Sequence, residues 1–333
     1  MITLGIETSC DETAAAVMCG AAIRASTVSS SVHRHEQFGG IIPEIASRYH
    51  LSFIVGVTKT ALEQAGTTLS QIDLIAVTQR PGLLGSLLVG VSFAKALSYA
   101  LRKPLIAVNH IKAHLFSPFL ACRRMPFPFI GLVVSGGHTS LALVRDFDRI
   151  RFLGKTRDDA AGESFDKVAK MLGLPYPGGP VIDRLAQTVA SSPFNFHCAP
   201  LKDSFDFSFS GIKTQVLYTL QALPNISAPV QTEISYAFQK AVVDSLVEKS
   251  IGACRRYKVR RLAVGGGVAC NSALRRRLQE RCAGEKINLH LPPAAYCVDN
   301  AAMIAFLGYH LFRRGKRADL YLNALPTGES GND

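Results

Sequence analysis

Two segments, LGIETSCDETAAAV at 4–17 and LVVSGGHTSLALV at 132–144, share one pattern: an apolar run, a tight polar turn and a second apolar run. Each opens a series in which β-rich runs alternate with helical ones. After the first come LIAVT (74–78) and LIAVN (105–109), set between helices over 52–66 and 83–101. After the second come IRFLGKT and RLAVGG, with helices near 162–172, 180–190, 231–255, 271–283 and 299–315. Such alternation builds α/β sheets. With 333 residues there is room for two domains and a core that needs no disulfide or metal staple. The simplest division is an α/β lobe at 1–125, completed by the C-terminal helix near 299–333, and a second lobe at 126–298. The repeated hairpin points to a distant duplication, with both turns facing one cleft. The tail ALPTGESGND is expected to fray.

Charge narrows the choice of partner. Against 25 acidic side chains stand 37 basic ones, a formal excess of +12. The excess is densest over 254–281, where Arg255, Arg256, Lys258, Arg260, Arg261, Arg275, Arg276, Arg277 and Arg281 face Glu280 alone. A polyanion partner fits this run, and a solvated helix face is the plainer alternative. The 8 cysteines form no C-x-x-C pair and read as reduced thiols. The N-terminus lacks a basic start with an apolar core, and no run of about 20 uncharged apolar residues occurs. A cytoplasmic protein with no membrane span is expected.

Several motifs have chemical potential. His110 and His114 follow the strand LIAVN, and on a helix their i, i+4 spacing sets both imidazoles on one face, able to grip one ion. Asp299, in CVDNAAMIA, could be a third ligand or the N-cap of the last long helix. Two imidazoles and one carboxylate with open positions suit iron(II) or zinc. The turns VVSGGHT and GGGVACNS offer backbone N–H groups to a phosphate or nucleoside, and PYPGGP lets a ring approach the chain. No G-x-x-x-x-G-K-[ST] and no G-x-G-x-x-G is present, which weighs against P-loop and Rossmann sites. Glu7, Asp11 and Glu12 in the first turn could order a metal or water. HEQFGGIIPEIASRYH (35–50) reads as a loop entering a helix near Pro43.

Taken in order, GIETSCDET, HEQFGGIIPEIASRYH, PGLLGSLLVG, HIKAH, VVSGGHTSL, DDAAGESFDKVAKMLGLPYPGGP, FSFSGIKT, GGGVACNS and CVDNAAMIA resemble the TsaD/Gcp family, the tRNA N6-adenosine threonylcarbamoyltransferases. The resemblance runs from residue 3 to about 307. It implies a two-lobed ASKHA fold, two RNase H-like domains around a cleft, shared with actin, sugar kinases and heat-shock ATPases. It also implies transfer of threonylcarbamoyl from threonylcarbamoyl-AMP to N6 of the adenosine 3′ of the anticodon, in tRNAs reading ANN codons, with release of AMP.

By the same resemblance, His110, His114 and Asp299 match metal ligands for one divalent ion per subunit, iron(II) first and zinc second. Val133, Val134, Ser135, Gly136 and Gly137 match the nucleotide-phosphate loop, and Asp166, Gly179, Asp183 and Asn271 the residues holding ribose and base. Glu12, His35 and Asp11 fall near the reacting end. Arg80 stands where the family usually has glycine, Cys270 where alanine is more usual and Val298 where threonine is. Implied partners are tRNA with a TsaB-like paralogue and a TsaE-like ATPase if the chain is bacterial, or a second copy if it is organellar. Competing readings are a metalloprotease, disfavoured because Ile111, Lys112 and Ala113 leave no glutamate between the histidines, and a kinase or nucleotide-gated scaffold of the same fold.

Overall fold

The computed structural model describes residues 1–122, 125–199 and 201–326. Arg123 and Arg124 of the Pro-rich joint, and the expected frayed tail from 327 on, lie outside them. The chain forms two compact units: unit 1 is Met1–Met125 with Val298 onward, and unit 2 is Pro126–Cys297. In chain order unit 1 contains β1 (Ile2–Glu7), β2 (Glu12–Cys19), β3 (Ala22–Ser30), α1 (Val32–His35), α2 (Pro43–Gln64), β4 (Leu74–Arg80), α3 (Leu84–Leu101), β5 (Leu105–Asn109) and α4 (His110–Phe116). Unit 2 follows with β6 (Phe129–Val134), β7 (Thr139–Val144), β8 (Ile150–Lys155), α5 (Ala161–Met171), α6 (Gly178–Ala186), α7 (Ser210–Ala222), α8 (Ala228–Tyr257), β9 (Arg261–Gly265), α9 (Ser272–Gly284) and β10 (Asn288–His290). The chain then returns to unit 1 for α10 (Ala301–Arg313).

Each unit is built on a five-stranded sheet, in order β3-β2-β1-β4-β5 and β10-β9-β6-β7-β8. Read from the other edge, the second has the same order as the first, with β6 in the place of β1. In both, the hairpin strands pair antiparallel and the crossover strands pair parallel to the central one. The central strands are buried on both faces, as parallel neighbours covered by helices require. Leu4, Ile6, Ile75, Val77, Leu87 and Val91 anchor one core, and Leu132, Phe165, Phe238, Leu246 and Leu274 the other.

Helix α10 lies across β1 because Gly5 has no side chain: a Cβ there would meet the Ala301 carbonyl oxygen at 2.3 Å. This close approach fixes the start of α10, and with it Asp299. Among the described residues, α3 is the one helix long and apolar enough to cross a membrane by length and composition. It packs on β4 and α2, and its Lys95 Nζ donates to the Leu322 carbonyl at 3.2 Å.

Some local expectations change. Helix α2 begins at Pro43, its first-turn proline, so the separate helix expected at 52–66 is one with the helix entry at 43. The polar edge strand β3, the helix α7 and the short β10 have no counterpart in the sequence reading. Asn300, not Asp299, caps α10: its Oδ1 accepts from the Met303 N–H at 3.0 Å.

Candidate metal centre and nucleotide-binding turns

The chain leaves β5 directly into α4, whose cap is Asn109, with Oδ1 accepting the Lys112 N–H at 3.0 Å. The helix sets His110 and His114 one turn apart, both buried. Relieved of capping by Asn300, Asp299 turns its Oδ1 toward them, 3.0 Å from His114 Nε2 and 3.4 Å from His110 Nε2. The two Nε2 atoms are 3.2 Å apart. Donors about 2.1 Å from one ion stand about 3.0–3.4 Å from each other in octahedral or tetrahedral arrangements, so the three atoms have the spacing of a coordination shell.

Electrostatics point the same way. Burial opposes a charged imidazole, yet Asp299 and Glu7 together hold His110 well above its ordinary value. Burial works against an ionised Asp299 as well, but His110 and His114 keep it well below the carboxylate range. For His114, burial prevails and the pKa falls. Two carboxylates around these rings therefore call for positive charge, which a proton or a cation can supply.

Glu7, grouped from the sequence with the turn carboxylates, is fully buried at the end of β1. Its Oε2 lies 2.9 Å from His110 Nδ1 and accepts the Thr78 hydroxyl at 2.6 Å, and its Oε1 accepts the Ser9 N–H at 2.5 Å. In the sequence Glu7 opens the polar turn of GIETSCDET, and its spacing does not mark it as buried.

Glu12 begins β2 in the same unit, and Asp11 precedes it in the turn. Burial first, then Asp11 and Asp299, push Glu12 well above its ordinary value. His35, expected near the reacting end, follows in α1. It is buried, with Nε2 3.1 Å from Ser31 Oγ, and its Nδ1 accepts the Ile42 N–H at 3.2 Å. The ring thus joins the start of α1, through Nε2, to the entry of α2, through Nδ1.

Unit 2 gathers the remaining predicted residues around the starts of three helices. Val133 and Val134 are buried in β6, so only their backbone can face a ligand. The turn continues through Ser135, Gly136 and Gly137, and both glycines open onto empty space. The first N–H groups of α5 hold this turn: Gly162 donates to the Ser135 carbonyl and Glu163 to the Gly136 carbonyl, each at 3.1 Å. Asp166 Oδ1 accepts the Gly178 N–H at 2.7 Å, fixing the start of α6 and Gly179 within it. Asp183 accepts from both the Ser272 hydroxyl (2.8 Å) and its N–H (3.1 Å).

Asn271 caps α9, its Oδ1 accepting the Leu274 N–H at 2.9 Å and its Nδ2 donating to Gln239 Oε1 at 2.6 Å. Gln239, on α8, is a partner that sequence spacing does not reveal. Between β9 and α9, Gly266 has φ +94°, and a Cβ there would meet the Val134 carbonyl oxygen at 2.3 Å. Only glycine fits.

The basic run divides. Arg255 pairs with Glu285 and Arg281 with Glu248. Arg275 is turned inward, donating from Nε to the Ala269 carbonyl at 2.6 Å and from Nη2 to the Pro292 carbonyl at 2.7 Å. Arg276 is exposed.

A family model described as tRNA N6-adenosine threonylcarbamoyltransferase matches residues 22–306. A protein of that name from Thermosipho africanus is 49% identical over 328 residues, covering 98% of this chain and 99% of its own length. One from Thermodesulfovibrio yellowstonii is 51% identical over 328 residues, covering 97% and 98%. Among solved structures, HypF of T. kodakarensis superposes with a TM-score of 0.65 at 14% identity, over 94% of this chain and 48% of that one. Component A of the Acidaminococcus fermentans (R)-2-hydroxyglutaryl-CoA dehydratase gives 0.56 at 15% identity, over 95% and 100%. With the two matching sheets, these likenesses show an ASKHA fold.

Proposed function

The chain belongs to the tRNA N6-adenosine threonylcarbamoyltransferase family, and on that premise we propose that it is the enzyme that completes t6A. In this reading it moves threonylcarbamoyl from threonylcarbamoyl-AMP to N6 of the adenosine 3′ of the anticodon in tRNAs reading ANN codons. The structural observation behind it is the donor set of His110, His114 and Asp299, three ligand atoms within 4.8 Å of one another. A protease or kinase is not favoured: no glutamate lies between the histidines, and the curated relatives are named as transferases.

The donor is a mixed carbamic–phosphoric anhydride. The N6 amine attacks the carbamoyl carbon, the bond from that carbon to the phosphate oxygen breaks, AMP leaves and the amine loses a proton. Alignment is the main task, because the leaving group is already good. His110, His114 and Asp299 would hold one divalent ion, iron(II) by the family resemblance and zinc as the second choice. Bound there, the ion supplies Lewis-acid stabilisation of charge on the substrate's oxygens.

In unit 2 the backbone from Val133 to Gly137 receives the phosphate, supported by the Gly162 and Glu163 contacts that hold the turn. Asp166, Gly179, Asp183 and Asn271 border the ribose and base. In unit 1 Asp11 or Glu12 accepts the amine proton; burial raises Glu12 well above its ordinary value, so its ionised form is a stronger base than an exposed carboxylate. His35 is a positioning residue, acting through its grip on Ser31 and Ile42.

We assign the exposed arginines of unit 2, Arg276 first, to tRNA phosphates. The relatives are bacterial, which favours a TsaB-like paralogue and a TsaE-like ATPase as partners, in the cytoplasm where tRNA is modified. Apolar side chains bare on unit 1, Leu51 and Val55 of α2 with Leu84 and Leu88 of α3, support a protein partner there.

The test is transfer of labelled threonine from synthetic threonylcarbamoyl-AMP to unmodified tRNA, with the partner proteins, with and without chelator. The wild type should label tRNA, and His110→Ala should lose at least about 100-fold of that rate while keeping its circular dichroism and AMP binding. Normal transfer by a metal-free protein would overturn the metal role, and no transfer under any condition would overturn the activity.

A further inference from the structure

We propose that Glu7 is the positioning residue of the metal centre: its buried carboxylate fixes the tautomer and ring orientation of His110, so that Nε2 faces the ion. The inference rests on the metal reading above and extends it to a residue outside the ligand set.

An ionised carboxylate has no proton to give. With Glu7 Oε2 2.9 Å from His110 Nδ1, the hydrogen in that contact therefore belongs to the imidazole. A neutral ring protonated at Nδ1 carries its lone pair on Nε2, the atom that faces His114 Nε2 at 3.2 Å and Asp299 Oδ1 at 3.4 Å. A metal-bound histidine commonly donates its other N–H to a carboxylate, which raises its basicity and fixes its orientation.

Glu7 is itself held rigidly. The Thr78 hydroxyl donates to Oε2 at 2.6 Å and the Ser9 N–H to Oε1 at 2.5 Å. Ser9 Oγ is also 3.2 Å from His110 Nδ1. β1, the turn after it and β4 thus converge on one imidazole. The contrast with the second histidine is sharp: His114 Nδ1 is buried with no hydrogen-bond partner. Of the two rings, only His110 is fixed from behind.

A purely structural reading of Glu7 also exists, since the Thr78 and Ser9 contacts tie β1 to β4. The two readings separate in a cobalt(II) titration of the metal-stripped full-length chain. It follows the visible absorption bands of the bound ion and competition with a chelator, with unfolding of the same proteins measured in chelator alone. Glu7→Gln should bind cobalt about 10–100-fold more weakly than wild type, with shifted bands. Thr78→Val keeps the charge but removes one contact holding Glu7, and should weaken binding about 2–10-fold.

Wild-type affinity and bands in Glu7→Gln, even with lowered stability in chelator, would overturn the proposal. Should Glu7→Gln not fold, unchanged affinity in Thr78→Val overturns it. A wild type that binds no cobalt overturns the metal reading as well, an outcome distinct from both.

Discussion

Ser30 donates its hydroxyl to Glu12 Oε1 at 3.5 Å, where the start of β2 pairs with the end of β3. Burial first, then the nearby charges of Asp11 and Asp299, hold the Glu12 carboxyl well above its ordinary value. In folded protein Glu12 is therefore protonated over a range above 4.5 where the unfolded chain has lost that proton. The native state binds more protons than the unfolded state across this window, so the Glu12 contribution to stability falls as pH rises through it. Glu12→Gln removes the titration. Its stability relative to wild type, from urea unfolding at a series of pH values, should increase from about pH 5 upward and vanish below the ordinary carboxylate range. A pH-independent difference would contradict the assignment.

Arg275 and Arg276 are adjacent, but their effects should differ in kind. Arg276→Glu should weaken tRNA binding and lower the slope of log affinity against log salt by about 1, with little change in unfolding. Arg275→Glu loses the contacts to the Ala269 and Pro292 carbonyls and should destabilise unit 2 by about 2 kcal/mol or more. Filter binding across a salt series, with thermal unfolding of both variants, distinguishes the two.

Cys270 should be the first thiol to react. A hydrogen bond with Cys297 and the nearby Arg275 outweigh burial and bring it down to about 7, while burial lifts Cys198 and Cys254 to about 12. Brief iodoacetamide treatment near pH 7 followed by peptide mass mapping should find Cys270 carbamidomethylated ahead of both.

Leu51 is 70% and Val55 62% exposed, and they stand one turn apart on α2. Leu51→Asp with Val55→Asp should leave the isolated chain folded and reduce its association with a TsaB-like partner by at least about 10-fold, measured by titration calorimetry. Unchanged association would move the interface elsewhere.

How far the sequence alone reached varies with the physics at each position. The hairpins and crossover strands were readable because both central strands are mostly apolar, and the α4 spacing sets the two histidines together whatever surrounds them. Asp299 and Asn300 could not be ranked as cap and ligand from composition, since both are strong caps. The extended backbone of Asn300, φ −151° and ψ 150°, decides it. Strand β3, AIRASTVSS, lacks clean alternation because it lies at an edge with few fully buried residues. A charge count likewise misjudges Arg275, whose partners are main-chain carbonyls. Glu7 and Gln239 gain their meaning only from residues 103 and 32 positions away.

The insertion of unit 2 between α4 and α10 imposes an order on biosynthesis. His110 and His114 leave the ribosome early, but Asp299 follows His114 by 185 residues, after all of unit 2 has been made. Until α10 settles against Gly5, the nascent chain presents two histidines and no carboxylate from that helix. A complete donor set therefore arises only in a chain whose second unit has already been synthesised.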